Sequence, residues 1–264
     1  FWLKPLAQVG AASRDQSFSS ALVSRPSVSY LAPSMAMITL ADFNVLCTKA
    51  EGRDKLARFF QYASRALVGF ANMAAPKAGS LISKIEQHSR TTMVQLAGAR
   101  RTHRWCKEIP VIQSIPKSLE IKDPVDRALE LLQKGTLATF MIIDHIGLLK
   151  QWKILPGGKR SGTGTIQLGL QWFCYSNLIA VVIQAKKLYT LVQKEGKDAE
   201  KRKCKENIFK HALLVIQTAH LSRVYETHDV LVGVTGMITS LMDISLNLPE
   251  KKTPIHPDAK AQAK

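Results

Sequence analysis

Asp144 and His145 are adjacent, and side chains of these types could move a proton, the carboxylate orienting an imidazole that takes it up or gives it back. No nucleophile motif accompanies them, so a satisfied polar pair beside apolar runs is the better reading and catalysis is not expected. The stretch GGKRSGTGT, residues 157 to 165, is rich in glycine. It lacks the Gly-Lys-Ser/Thr ending with which a P-loop holds phosphate, and it reads as a flexible connector. Cys47, Cys106, Cys174 and Cys204 form no C-x-x-C pair, so they are expected to be reduced thiols that build neither a disulfide framework nor a zinc site. His220 and His228 lack a neighbouring carboxylate-rich motif, and neither a metal nor a cofactor is expected.

Charge says more than these groups do. Across 264 residues, 37 Lys+Arg against 20 Asp+Glu give a net charge of +17, which draws the chain to a polyanion, either nucleic acid or the negative face of a membrane. No zinc finger, RNP motif or compact basic recognition helix is present, so nucleic acid is not the expected partner. Hydrophobic residues make up 46% of the chain while its mean hydropathy is −0.03, so membrane segments must be few and offset by strongly charged stretches.

The elements that position these residues read as all-α: amphipathic N-terminal helices, then a membrane-embedded helical region with two to three hydrophobic segments. From Phe43 to Ala74, Leu56, Phe59, Phe60, Ala63, Leu67, Phe70 and Ala74 recur at helical spacing opposite Arg58, Gln61, Arg65 and Asn72. Pro76 and Gly79 end that helix. A second runs from Ser80 to about Trp105 with Leu81, Ile82, Ile85, Met93 and Leu96 on one side. Between Lys77 and Lys107 it carries Lys84, Arg90, Arg100, Arg101 and Arg104, with only Glu86 opposing them. After a break at Pro110 and Pro116, a third pattern starts near Asp123-Pro124 and enters the short apolar stretch 136–149, marginal for a span. Ile166–Ala185 has no formal charge and is the better candidate, although Gln167, Gln171, Asn177 and Gln184 leave a buried core helix open as an alternative. Val230–Leu248 is interrupted only by Asp243, and its Gly233, Gly236 and Ser240 would let another helix approach closely.

This divides the chain into an extension over 1–40 of disordered or artefactual character, an amphipathic remodelling region over 42–130, an embedded region over 131–248 with a charged loop at 186–207, and a polar tail over 249–264.

Four stretches, GRDKLARFFQYASRAL (52–67), APKAGSLISKIEQHSRTTMVQLAGARRTHR (75–104), FMIIDHIGLLKQWKIL (140–155) and LVGVTGMITSLMDI (231–244), resemble in order the opening, basic amphipathic helix, middle region and closing span of the peroxin-11 (peroxisomal membrane protein 11) family. The resemblance implies a non-enzymatic integral protein of the peroxisomal membrane, with both termini in the cytosol, that self-associates and elongates the organelle before division by a dynamin-type GTPase. The segment 194–206 and the two terminal extensions depart from the family pattern.

An amphipathic helix lying among headgroups expands one leaflet and favours curvature. The expected lipid contacts are Phe59, Phe60, Leu81, Ile82, Ile85, Met93 and Leu96, with Arg100, Arg101 and Arg104 on anionic headgroups; Gly233 and Gly236 are expected to receive a second copy. Two readings compete with the wedge. The apolar faces of 43–74 and 80–105 could pack on each other as a soluble core, or Asp144, His145, Gln171, Asn177 and Asp243 could line a solute pore. A topology conflict also stands, because spans at 166–185 and 230–248 alone would put the basic segment 186–229 in the organelle lumen, against the positive-inside tendency.

Overall fold

The computed structural model describes residues 39–249, so the readings of residues 1–38 and of the tail from 250 onward lie outside the described residues. Nine helices occur among them: α1 (Leu40–Thr48), α2 (Ala50–Met73), α3 (Leu81–His103), α4 (Glu108–Gln113), α5 (Ile115–Leu119), α6 (Pro124–Gln151), α7 (Gly162–Val192), α8 (Asp198–Leu221) and α9 (Asp229–Asn247). The described chain has no strands, and the all-α expectation holds.

Local chemistry explains most boundaries. Ser80 caps α3, its side chain accepting from Ser83 N, and Gly79 takes the left-handed φ of 81° that the preceding turn requires. Asp123 caps α6, accepting from Val125 N at 2.8 Å, and Pro124 occupies the first helical turn, where it costs no hydrogen bond. Ser161 caps α7 through Gly164 N, so the glycine-rich stretch is a connector only as far as Arg160; residues from Gly162 on are helix.

Three expectations are corrected. The single helix over 43–74 is two, broken at Lys49, whose backbone is extended. There α1 folds back so closely that a Cβ on Gly52 would stand 2.0 Å from Leu46 O, and the Arg53 guanidinium donates to the Cys47 carbonyl at 2.9 Å. The charged loop at 186–207 is almost entirely helix, with α7 running to Val192 and α8 starting at Asp198; lysine and glutamate are good helix formers, and Asp198 and Glu200 favour a helix start. The break after Trp105 holds two short helices, α4 and α5, pinned by Lys134 Nζ donating to Ser114 O and Ser118 Oγ.

The six long helices form a ring in which α2 meets α3, α3 meets α6, α6 meets α7, α7 meets α8, α8 meets α9, and α9 returns to α2. Sequential neighbours from α6 to α9, and α9 with α2, run antiparallel, whereas α3 and α6 meet at their C-terminal ends, where Trp105 stacks on Trp152. Asn177 Oδ1 meets His211 Nδ1 at 2.9 Å while Gln184 meets Asn207, which sets α8 against α7; Val230 lies at Gly69 and Gly236 at Tyr62, which sets α9 against α2. Close approach rests on small residues. A Cβ on Gly147 would be 2.5 Å from Ile166, and one on Gly236 would be 2.1 Å from the Tyr62 ring.

Candidate functional site

Beside buried apolar residues such as Val68, Phe140, Leu148 and Val232, this ring buries many charged and polar side chains and turns several large apolar ones outward. On α2, Asp54, Arg58 and Gln61 are 2%, 7% and 7% exposed, whereas Phe60, Phe70 and Leu67 are 57%, 54% and 48% exposed. On α9, Gly233, Gly236, Thr239, Ser240 and Asp243 face inward, and Leu231, Val234, Ile238 and Leu241 face out. On α7, Thr165, Ser176 and Asn177 are buried while Leu178 and Val182 are exposed. The reading in which the faces of 43–74 and 80–105 form a soluble apolar core is therefore corrected. The helices α2 and α3 do pack together, but Phe60, Leu67, Phe70, Leu81, Ile82 and Ile85 point away from the interior.

The interior is satisfied by ion pairs and by local back-bonding. Asp243 accepts from Arg58 Nη1 at 3.0 Å, lies 3.4 Å from Lys55 Nζ and also pairs with Lys210. Arg58 Nη2 donates to Thr239 Oγ1 at 2.7 Å and Gln217 Oε1 at 3.3 Å, tying α2, α8 and α9 together. Arg65 donates to Asp229 at 2.5 Å beside His220. The hydroxyls of Ser64, Thr218, Thr235 and Ser240 each donate to the carbonyl four residues earlier in their own helix, which settles them without solvent.

Arg100, Arg101 and Arg104 belong to this interior. Arg100 Nε donates to Asp54 at 3.1 Å and its Nη1 to Gln61 at 2.6 Å, while Arg101 and Arg104 share Asp144 at 3.3 and 2.9 Å. Their expected place on headgroups is corrected: the side of α3 that carries Met93 and Leu96 also carries Arg100 and Arg104, and it turns toward the interior. Burial pushes the Arg100 guanidinium down to about 10, with Asp54 opposing and Arg104 and Arg58 adding to the fall. Burial also pushes the Asp54 carboxyl up, yet Arg100, Arg104, Lys55 and Lys107 outweigh it and hold the group below the usual carboxylate range.

These side chains line a cavity of about 760 Å³ whose walls come from α2, α3, α6, α7 and α8, with Leu137, Phe140, Leu148 and Phe173 among its apolar lining. Sequence reasoning missed it. Asp54, Lys55, Gln61 and Tyr62 line it and carried no functional reading, and partners such as Arg58 and Asp243, 185 positions apart, leave no signal in one sequence.

Of the expected lipid-contact residues, Phe60, Leu81, Ile82 and Ile85 are exposed and Phe59 and Leu96 half-buried; Met93 is half-buried and lines the cavity. Gly233 and Gly236 are filled by α2 of the same chain, at Ala66 and Tyr62, so the groove expected to admit a second copy is already occupied. The suggested pore residues do not share one path. Asp144 lines the cavity, but His145 faces Glu108 at 3.5 Å under Trp105, Asn177 is held by His211, and Asp243 by its three cations. Two helices, α7 and α9, are long and apolar enough to cross a membrane by length and composition, and they contain the segments 166–185 and 230–248.

Fold and burial thus define an all-helical protein with two such helices, a charged interior and an apolar outer face, a surface of the kind that marks contact with lipid or with other apolar surfaces. The family model described as Peroxisomal biogenesis factor 11 (PEX11) matches residues 40–248, and the chain belongs to that family. Its role is in peroxisome biogenesis and proliferation, and the family is not a recognised enzyme class. No curated protein and no solved structure matches the chain.

Proposed function

We propose that this chain is an integral protein of the peroxisomal membrane that curves and elongates that membrane ahead of division. That burial pattern carries the reading. Each outward Leu, Ile or Phe gains roughly 1.5–3 kcal/mol when it leaves water, and α2, α7 and α9 present such residues around a ring whose polar atoms are satisfied inside. In this reading α7 and α9 cross the bilayer, α8 returns between them with Gln217 and Thr218 turned inward, and α6, packed on α7, makes the fourth passage that chain ends on one side require.

That return crossing removes the topology conflict. Because α7, α8 and α9 alternate in direction, the basic turn between α7 and α8 lies at the same end as the close of α9. The start of α2 is there too, with Lys49 Nζ on Asn247 O at 3.3 Å. The basic segment 194–206 then shares the side of both ends of the described chain, which the positive-inside tendency places in the cytosol.

The wedge is narrower than the sequence suggests. It consists of Leu81, Ile82 and Ile85 at the start of α3 with Phe60, Leu67 and Phe70 of α2, with Lys77 and Lys84 exposed beside them, and it enters the leaflet at the end of the bundle where α9 begins, while the three arginines turn inward. A dynamin-type GTPase then divides the elongated organelle, and self-association uses a face other than Gly233 and Gly236. Two measurements test this. The protein should stay in the membrane pellet after alkaline carbonate washing; release of most of it would sink the integral assignment. Leu81, Ile82 and Ile85 all changed to Asp should reach peroxisomes without elongating them, and normal elongation by that variant would sink the wedge.

A further inference from the structure

The cavity is overfilled with positive charge. Lys55, Arg58 and Arg65 line it from α2, and Arg100, Arg101, Arg104 and Lys107 from the end of α3 and the turn that follows it, against Glu51, Asp54 and Asp144. Asp229 and Asp243 stand behind this lining, and Asp243 also holds Lys210. Even with those two carboxylates and that lysine included, eight cations meet five anions. The pairing is correspondingly incomplete: Arg101 and Arg104 divide one carboxylate, and the buried Nε groups of Arg104 and Arg65 find no acceptor in the protein. A buried guanidinium N–H without an acceptor is costly, and such groups call for a partner.

We propose that this cavity is a binding site for a phosphate monoester group, whose two negative charges offset most of the excess and one of whose oxygens accepts from the Arg104 Nε group. The planar guanidinium fork matches phosphate oxygens in pairs, which a lysine cannot do. The volume is within the range of small-molecule sites, and Leu137, Phe140 and Phe173 supply an apolar wall for the body that carries the phosphate. Burial is the main cause of the depressed Arg100 pKa, and the nearby Arg104 and Arg58 add to it. This site goes beyond membrane remodelling and does not depend on it, because it is tested on the isolated protein.

The phosphate can come from a lipid headgroup or from a soluble metabolite, and the experiment separates the two. The full chain, purified in neutral detergent, is titrated with inorganic phosphate, with glycerol 3-phosphate and with short-chain phosphatidate, each against chloride at matched ionic strength, and the melting temperature is followed. All three phosphates should raise it saturably. A half-saturation at least tenfold lower for phosphatidate assigns the site to a lipid; equal values for phosphatidate and glycerol 3-phosphate assign it to a soluble ester. Arg104→Gln should weaken binding about tenfold or more. Arg104→Lys, which keeps the charge and loses the fork, should weaken it similarly, and it decides the matter if the glutamine variant does not fold. Lys117→Gln, exposed on α5, should bind as the parent does. No stabilisation above chloride, or unchanged binding by Arg104→Lys, would overturn the proposal.

Discussion

Asp243→Asn tests whether the charged interior holds the ring together. Asp243 is 6% exposed and gathers Arg58, Lys55 and Lys210; amidation removes the anion and leaves three cations converging on a neutral group. Truncating one partner of a buried pair costs about 3–5 kcal/mol, against about 0–1 for a surface pair. Arg58 is as buried as Asp243, at 8% side-chain exposure each, but Lys55 and Lys210 at 18% and 20% keep some access to solvent, so the lower end applies. A loss of about 3 kcal/mol lowers the folded-to-unfolded ratio by roughly two orders of magnitude. Tryptophan fluorescence of detergent-solubilised protein, followed through denaturant, would read it. Glu206→Gln, which breaks an exposed i,i+4 pair with Arg202, should change nothing measurable. The double variant Arg58→Met with Asp243→Leu should cost less than the two single changes added together, because it removes both charges. If Asp243→Asn is no more destabilising than Glu206→Gln, the interior network does not hold the fold and the charged-interior reasoning fails.

Gly236→Ala should destabilise by about 1–3 kcal/mol through overpacking, because its Cβ would enter the Tyr62 ring. Gly135→Ala, with open space around it, should stabilise by about 0.5–1 kcal/mol in the same unfolding assay, and equal effects would contradict the α2–α9 contact. The Asp54 carboxyl is held below its ordinary 3.8, so its contribution is complete above that value and is lost as pH falls through the lower folded value. Asp54→Asn should therefore flatten the acid limb of melting temperature below about pH 4, and an unchanged limb would refute the assignment. Epitope tags placed in 193–197 and after residue 248 should both be cleaved by protease added to intact peroxisomes, while a tag in 152–161 should be protected; protection of the 193–197 tag alone would refute the return crossing by α8.

Much of the helical skeleton was legible. Ser80, Asp123-Pro124 and the Pro76–Gly79 turn act locally, within a residue or two of the boundary they set, and the two apolar segments are simple runs. The break at Lys49 was not legible, because neither Gly nor Pro occupies it and it depends on α1 packing against Gly52. The direction of the amphipathic faces was the larger loss. A stripe of Phe60, Leu67 and Phe70 opposite Arg58, Gln61 and Arg65 has the same period whether water or lipid lies outside, so periodicity finds the stripe without saying which side turns in. The roles of Arg100, Arg101 and Arg104 went with it, since a basic run ending a helix reads as headgroup contact until Asp54 and Asp144 are seen to face it.

The two halves of α3 then have different jobs, and the division explains how a surface helix could keep a fixed depth. Its last two turns are held through Arg100 on Asp54 and Gln61 and through Arg101 and Arg104 on Asp144, so they cannot slide along or roll over the bundle without breaking pairs in the interior. Its first turns carry Leu81, Ile82 and Ile85 outward and have no such ties. A free amphipathic peptide settles wherever its apolar face is best covered, and its insertion varies with lipid composition. A helix anchored at one end enters the leaflet at a depth set by the protein. The ion pairs therefore do not compete with the wedge for the same residues; they fix the end from which the wedge projects.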